Sequence, residues 1–400
     1  MNTPVDQLPA ITVAAQAVTA LNPLPALSDG RQPRGIVQLG PFGSLAAVSG
    51  WTKASVTNNS YYEADTFWID YAVSALPPGF DANFFSNQTE IFAQIYAGLP
   101  QDPNNPQASE LDSLILGRVD TIDYEPDTRA LRLAGRDLTA VFIDNRITQT
   151  FQNQTSSQIA TMLAQSHGLD TSNITPTTTL VGTFFQNDQV QIASNRSEWD
   201  LLSFLAREEG FVVFVQGNSL FFEPDPRPTG ASNPYVIQWT PPSSTNGSPI
   251  ANTVKLKFSR TLTVSKGISV TARSPNRNTG KAVVQSYPTT PQGIAAGKAS
   301  PFGAVQQYFF TIGANLTPAQ VAAFAQKTYD TIISHEMNMS ANLPADNLLT
   351  VSTPVQVEGT GTSWDQLYFP RKVTRDIDNE GGYRMTVDAQ NTSPTESPDS

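Results

Sequence analysis

The sequence predicts a mainly β (α+β) chain, with two β-rich blocks on either side of a small α+β segment. Three observations carry this. Only 15% of the 400 residues are charged, so the Lys, Glu and Arg that normally clothe surface helices are scarce. Thirty prolines and 25 glycines, with many Thr, Asn and Gln, favour strands and turns. Apolar and polar residues alternate at period two through much of the chain, as in strands with one buried face.

Residues 1–34 read as an N-terminal arm with a short helix around Ile11–Ala20. The arm is apolar, but it lacks a basic start and is broken by Pro4 and Pro9, so it is not read as a signal peptide. Residues 35–150 read as the first β block. Its strands are GIVQLG, GWTKASVTN, YYEADTFWIDYAV, TEIFAQIYAG, SLILGRVDTIDYEP and RALRLAGRDLTAVFID. Pro77-Pro78-Gly79 and QDPNNPQ at 101–107 mark loops, and Glu125–Thr128 a turn. Strands at this spacing fit a small barrel or sandwich.

Residues 151–230 change character. Thr155–His167 carries an apolar stripe of Ile159, Met162 and Leu163, and Gly168 is placed to stop that helix. The Thr-rich ITPTTTLVG and the segment FFQNDQVQIAS lead into SEWDLLSFLAREEGFVVFVQGNSLFFEPD at 197–225. Ser197 is an N-cap, and Asp200 completes a capping-box-like pair in which Glu is the usual partner. Trp199, Leu202 and Leu205 share one helical face, widened by Leu201 and Phe204. Glu208 and Glu209 sit badly against the negative end of the helix dipole, so something outside the helix should compensate them. Gly210 ends the helix, FVVFV is a strand, Gly217-Asn218 is a two-residue hairpin loop, and SLFFE returns toward Pro224. The unit has one apolar face and needs a neighbouring sheet to cover it.

Residues 231–390 read as the second β block. After a Pro-, Ser- and Gly-rich stretch over 226–250, strands resume at ANTVKLKFSR and KGISVTARSPNRNTGKAVVQSYP, and 288–305 form a loop. Thr317 caps a helix with Pro318 at its first position and a stripe of Val321, Phe324, Ala325, Thr328, Ile332 and Ile333. Strands close the block at TPVQVEGT, QLYFPRKVTRDID and GGYRMTVDAQ, and 391–400 form a C-terminal tail of disordered composition. The two blocks share a loose order of strands, long loops and one helix, without a residue-level repeat.

The formal charge of −11 argues against binding nucleic acid by neutralising its backbone, which needs clustered Lys and Arg. It fits a surface that does not stick to DNA or anionic membranes, and it fits solubility alone equally well. With no cysteine there is no disulfide framework, thiolate zinc site or thiol nucleophile. No apolar run approaches the ~20 residues of a membrane span.

Chemical motifs fail one by one. HEMNM at 335–339 begins like a zinc-protease motif, but Met339 stands where the second His belongs. Gly280-Lys281 ends like a phosphate-binding loop without its first glycine, and reads as a hairpin turn. GTGTSW at 359–364 opens no helix, so it cradles no phosphate. No GxSxG is present. Adjacent Glu208 and Glu209 point about 100° apart on a helix, a poor pair for glycoside hydrolysis. The aromatic YYEADTFWIDY reads as core plus interface before it reads as a ligand platform. The expectation is a non-enzyme with no catalytic, cofactor-binding or metal residues.

The stretch at 197–225 resembles the signature of the phage late control gene D family, the tail hub of contractile phages, and the N-terminal part of type VI secretion spike proteins is similar. Further pieces match in the family's order. They are SSQIATMLAQSHGL, SVTARSPNRNTGKAV, LTPAQVAAFAQKTYDTIISHEMNMSANLP and VSTPVQVEGTGTSWDQLYFPRKVTRDIDNEGGYRMTVDA, so the resemblance covers roughly 110–390. It marks Ser197, Trp199, Asp200, Leu202, Leu205, Glu209, Gly210, Phe222 and Pro224 as structural motif residues. It implies two tube-protein-like β-barrels with the α+β insert at their periphery. It also implies a homotrimeric baseplate hub in the virion, joining a hexameric tail tube protein to a trimeric spike protein among other baseplate or wedge proteins, with DNA sliding through the lumen unbound. The arm is longer and more apolar than the family leads one to expect. No spike repeat or lysozyme-like domain follows the hub, so the spike is expected to be a separate protein. The alternatives are a cell-wall hydrolase of the tail tip, or the equivalent hub of a non-contractile tail, gene-transfer or secretion particle.

Overall fold

A computed structural model describes residues 32–147, 151, 153–178, 180–181, 196–225, 233–243, 247–265, 267–276, 280–289, 306–314, 316–378 and 382–391. The expected arm, FFQNDQVQIAS, most of the 288–305 loop and the C-terminal tail lie outside these residues. The chain is mainly β, as its composition predicts. It forms two compact units, one drawn from Met1–Asn233, Leu343–Thr353 and Lys372–Thr386, the other from Pro234–Asn342, Pro354–Arg371 and Val387–Ser400.

The first unit is built on an antiparallel sheet. Its strands are β1 (Arg34–Gly40), β2 (Ala46–Ala47), β3 (Trp51–Asn59), β4 (Thr66–Ala72), β5 (Phe92–Gly98), β6 (Asp112–Glu125) and β7 (Ala130–Asp137). They run in the order β3-β4-β7-β6-β5-β1-β2, and Lys372–Asp378 of β20 (Leu367–Asp378) pairs along β3. Alternation does what it predicts: Phe67, Ile69 and Tyr71 on β4 and Leu131 and Leu133 on β7 are buried. The sheet curls back on itself, since a side chain at Gly35 of β1 would touch Ile377 of β20 and Trp51 of β3. Where β6 crosses β7 the backbones nearly touch beneath the Phe67 ring. A Cβ at Gly117 would lie 2.2 Å from the Arg136 carbonyl oxygen, and one at Gly135 2.0 Å from that of Arg118.

Two stretches read as strand are not strand. Tyr61–Asp65 forms a turn before β4, with Tyr62 at a left-handed φ of 75°. Local bonds cause it: the Asp65 carboxylate accepts from the Asn59 backbone N (2.7 Å) and from Asn58 Nδ2 (2.8 Å). Thr139–Asp144 is a short helix, not the end of β7. Asp137 breaks the strand by accepting from both the N (3.1 Å) and Oγ1 (3.0 Å) of Thr139, and Phe142 is then fully buried.

Six further elements belong to this unit. They are the helix Ser156–Ser166, the helix Glu198–Glu209, the two-residue pair β8 (Gln154–Thr155) with β9 (Leu180–Val181), and the hairpin β10 (Phe211–Gln216) with β11 (Ser219–Pro224). Their apolar residues form one core with Phe92, Leu138 and Phe142 of the sheet and short helix.

The second unit carries β12 (Tyr235–Thr240), β13 (Ile250–Ala251), β14 (Lys255–Arg260), β15 (Ile268–Pro275), β16 (Ala282–Tyr287), β17 (Gln306–Thr311), β18 (Met337–Pro344), β19 (Val355–Glu358) and β21 (Gly382–Asn391), with β18 and β21 shared between units. β12 pairs β13 and β19, β19 pairs β20, and β14 pairs β18, which pairs β21. β15 lies between β16 and β17, and the helix Pro318–Ile333 covers that sheet with Val321 and Ala325 against Ile268, Val270 and Ala272. Thr317 and Gln320 form a reciprocal capping box, with Pro318 at the first helical position as expected.

The false chemical motifs resolve into structure. Gly280, at φ 66°, lies in the turn between β15 and β16. Glu336 of HEMNM is fully buried, and its Oε1 accepts from Arg260 Nε (2.8 Å) and Nη2 (2.7 Å). Three strands of six or more residues escape the sequence reading: YVIQWT, QQYFFT and MNMSANLP.

Gly135→Ala should destabilise the chain by about 3 kcal/mol, because the added methyl meets a ladder carbonyl that cannot retreat without opening β6 from β7. Gly313→Ala, which meets nothing within 4 Å, should be near neutral. Denaturant unfolding of both variants checks the contrast.

Candidate functional site: the seat of the helix–hairpin motif

The motif folds from local rules. Ser197 Oγ accepts from the Asp200 N (3.0 Å), and Asp200 Oδ2 accepts from the Ser197 N (3.1 Å), so the expected capping pair forms with Asp in place of Glu. Gly210 ends the helix in the left-handed region at φ 73°. Gly217 takes φ 58° in the two-residue loop between β10 and β11. Trp199, Leu201, Leu202 and Leu205 are buried, whereas Phe204 is exposed and does not widen the face.

Of the two glutamates at the helix end, Glu209 finds the outside compensation the sequence calls for. Glu209 Oε1 accepts from Ser156 Oγ at 2.7 Å. Ser156 is the first residue of the helix Ser156–Ser166, so the carboxylate that opposes its own helix dipole lies at the positive end of another. At the far end of that helix, His167 Nε2 and Glu198 Oε2 are 2.5 Å apart, and the His167 ring stands edge-on to Phe142.

The hairpin is held on its open side as well. Segment 170–175 runs parallel to β11, where Phe222 N donates to Asn173 O (3.1 Å) and Thr175 N donates to Phe222 O (2.8 Å). Phe222 is fully buried, while Pro224 closes β11 opposite Phe211.

Tyr62 is the seat. Its N donates to Val213 O (3.1 Å), its hydroxyl donates to Phe211 O (2.5 Å), and its O accepts from Trp199 Nε1 (2.9 Å). The Arg207 guanidinium stacks 4.7 Å from its ring, and Tyr61 packs on Phe214. One turn of the β3–β4 connection thus grips both the helix and the hairpin. The expectation that YYEADTFWIDY is core plus interface meets this arrangement at its first two residues. Sequence reasoning missed the seat itself; its only signal is an adjacent tyrosine pair ahead of an acidic residue.

Chemically the arrangement positions its parts. The indole N–H and the phenol hydroxyl donate to main-chain carbonyls, and the Tyr62 main chain is spent on Val213 O and the indole. Elsewhere in the unit an open hollow of about 370 Å³ carries Glu90 and Asp120 over Phe85, Ile91 and Leu131. Asp120 is held there by Arg136 (2.6 Å) and Arg118 (3.3 Å). No helix among the described residues is long and apolar enough to cross a membrane.

Trp199→Ala should cost about 3–5 kcal/mol through the lost core volume. Trp199→Phe, which keeps the ring but loses the bond to Tyr62, should cost about 1 kcal/mol. Equilibrium unfolding separates the packing contribution from the hydrogen bond.

No protein-family model matches the sequence, and no curated protein matches it. Solved structures do match the fold. The 43 kDa tail protein of prophage MuSo2 from Shewanella oneidensis gives a TM-score of 0.60 at 14% identity, covering 89% of this chain and 98% of that one. The tail protein from Neisseria meningitidis MC58 gives 0.58 at 12% identity, covering 89% and 96%. A chain of the half-lidded Francisella PdpA-VgrG complex gives 0.50 at 10% identity, covering 91% of this chain and 59% of that one. At these identities the likeness is one of fold: the chain has the fold of phage tail proteins.

Proposed function

We propose that this chain is a structural tail hub: a diverged member of the late control gene D family that forms a trimeric ring between a hexameric tail tube and a trimeric spike. The observation that carries the reading is the extent of the fold match. Two tail proteins align over 98% and 96% of their own lengths and over 89% of this chain. The ordered motif pieces, from SSQIATMLAQSHGL to the C-terminal strands, support the same family.

In this reading the two β units of one subunit are the repeated parts, so that three subunits offer six similar edges to a six-fold tube. The motif residues Ser197, Trp199, Asp200, Leu202, Leu205, Glu209, Gly210, Phe222 and Pro224 are structural: they build the module that Tyr62 seats. The channel passes DNA without binding it, in keeping with a formal charge of −11. Catalysis has no part in this role, and the virion tail is its location.

Multi-angle light scattering of the purified chain, with a peptidoglycan-clearing assay on the same sample, tests the proposal. The expected result is a mass near three times 43.2 kDa and no clearing. A monomer that clears cell wall would overturn the hub in favour of a tail-tip hydrolase.

A further inference from the structure

Two aspartates stand opposite each other inside the first unit where strands β4 and β7 run out. Thr66 pairs with Arg136, and one step further Asp137 N donates to Asp65 O at 2.9 Å, so Asp65 and Asp137 are directly opposed. Directly opposed residues hold their Cβ atoms about 4.5–5.5 Å apart, and like charges there repel. Asp137 is only 5% exposed. Asp65 is half-buried, with both carboxylate oxygens turned onto Asn58 and Asn59.

The surroundings supply too little positive charge for two anions. Arg375 of β20 is the cation that faces Asp65. Its guanidinium is already committed to the carbonyls of Asp346 (3.1 Å) and Leu349 and to Asn58 Oδ1 (3.2 Å). Arg375, Asp346 and Asp112 all act on Tyr383, and among these described groups Arg375 is the single cation. Toward Asp137 the neighbouring helix presents only the N and hydroxyl of Thr139.

Each carboxyl also holds a segment that matters. Asp65 closes the turn that carries Tyr61 and Tyr62, and Asp137 starts the short helix that buries Phe142 in the shared core. We propose that Asp65 and Asp137 do not ionise together in the folded chain, and that ionising both, through their mutual repulsion, frees the Tyr62 turn and with it the seat of the helix–hairpin motif.

Burial pushes Asp65 up to about 6, and burial together with Asp65 pushes Asp137 well above the ordinary carboxyl range. Both groups hold protons more tightly folded than unfolded. Their contribution to stability therefore grows as pH falls through about 6, and levels off near the ordinary carboxyl value of about 4. This is the reverse of common acid denaturation.

Hydrogen exchange of the full chain between pH 5.5 and 9, expressed as protection factors, tests the proposal. In the wild type, protection of 58–65 and 211–224 should fall with rising pH, by at most about tenfold per pH unit for one proton. Asp137→Asn should flatten that fall and keep at pH 8.5 the protection the wild type shows at pH 6. Parallel profiles for wild type and variant would overturn the proposal. Should Asp137→Asn fail to fold, Asp65→Asn must show the same flattening, and a profile parallel to wild type overturns it equally. Independently of any variant, the infrared spectrum of the wild type at pH 5.5 should contain a protonated-carboxyl band that weakens as the pH is raised to 9. Its absence at pH 5.5 would also overturn the proposal.

Discussion

The first unit depends on one turn. Tyr62 offers its N–H, its carbonyl, its hydroxyl and its ring, and the motif takes all four, through Val213, Trp199, Phe211 and Arg207. Buried main-chain groups must be satisfied, and a left-handed residue at the end of a strand has no ladder to satisfy them. The helix–hairpin module fills that need while the turn fills the module's. Neither side is complete alone: the motif lacks a partner for its indole N–H, and the sheet lacks a cover for Phe92 and Phe142.

Packing then turns a local grip into a shared core. Leu202, Leu205, Val213 and Phe222 of the module are buried in the same cluster as Leu138 and Phe142. The helix Ser156–Ser166 locks the module from its other side, receiving Glu209 at its first turn and joining Glu198 through His167 beyond its last. Glu209 places a negative charge where the helix N-terminus favours it, which is worth some tenths of a kcal/mol to about 1 kcal/mol. The larger share comes from the apolar area removed from water.

What was legible in the sequence was what is decided within a few residues. Ser197 with Asp200, the stop at Gly210, the Gly217-Asn218 loop and the Thr317-Pro318 start all rest on contacts one to four residues apart. The Trp199 stripe was legible as a face in need of cover, but its cover was not, because Trp199 and Tyr62 are 137 residues apart in sequence. Asp137 read as the middle of a long strand, since its alternation with Leu131 and Leu133 continues the pattern; only its bonds to Thr139 turn the chain into a helix. MNMSANLP was passed over because Met, Ala and Asn are poor strand formers, yet Met337, Met339, Ala341 and Leu343 alternate inward. YVIQWT was hidden by the prolines and glycines around it. The opposition of Asp65 and Asp137 depends on strand register, which no single stretch specifies.

The central claim is that the helix–hairpin module and the sheet that seats it are one cooperative body. Native-state hydrogen exchange at pH 6 under increasing denaturant measures this directly. The account predicts that the amides of Val213 and Phe222 open with the same free energy and the same denaturant dependence as those of Ile69 and Leu133. An earlier, separate opening of 211–224, with the sheet amides still protected, would contradict it.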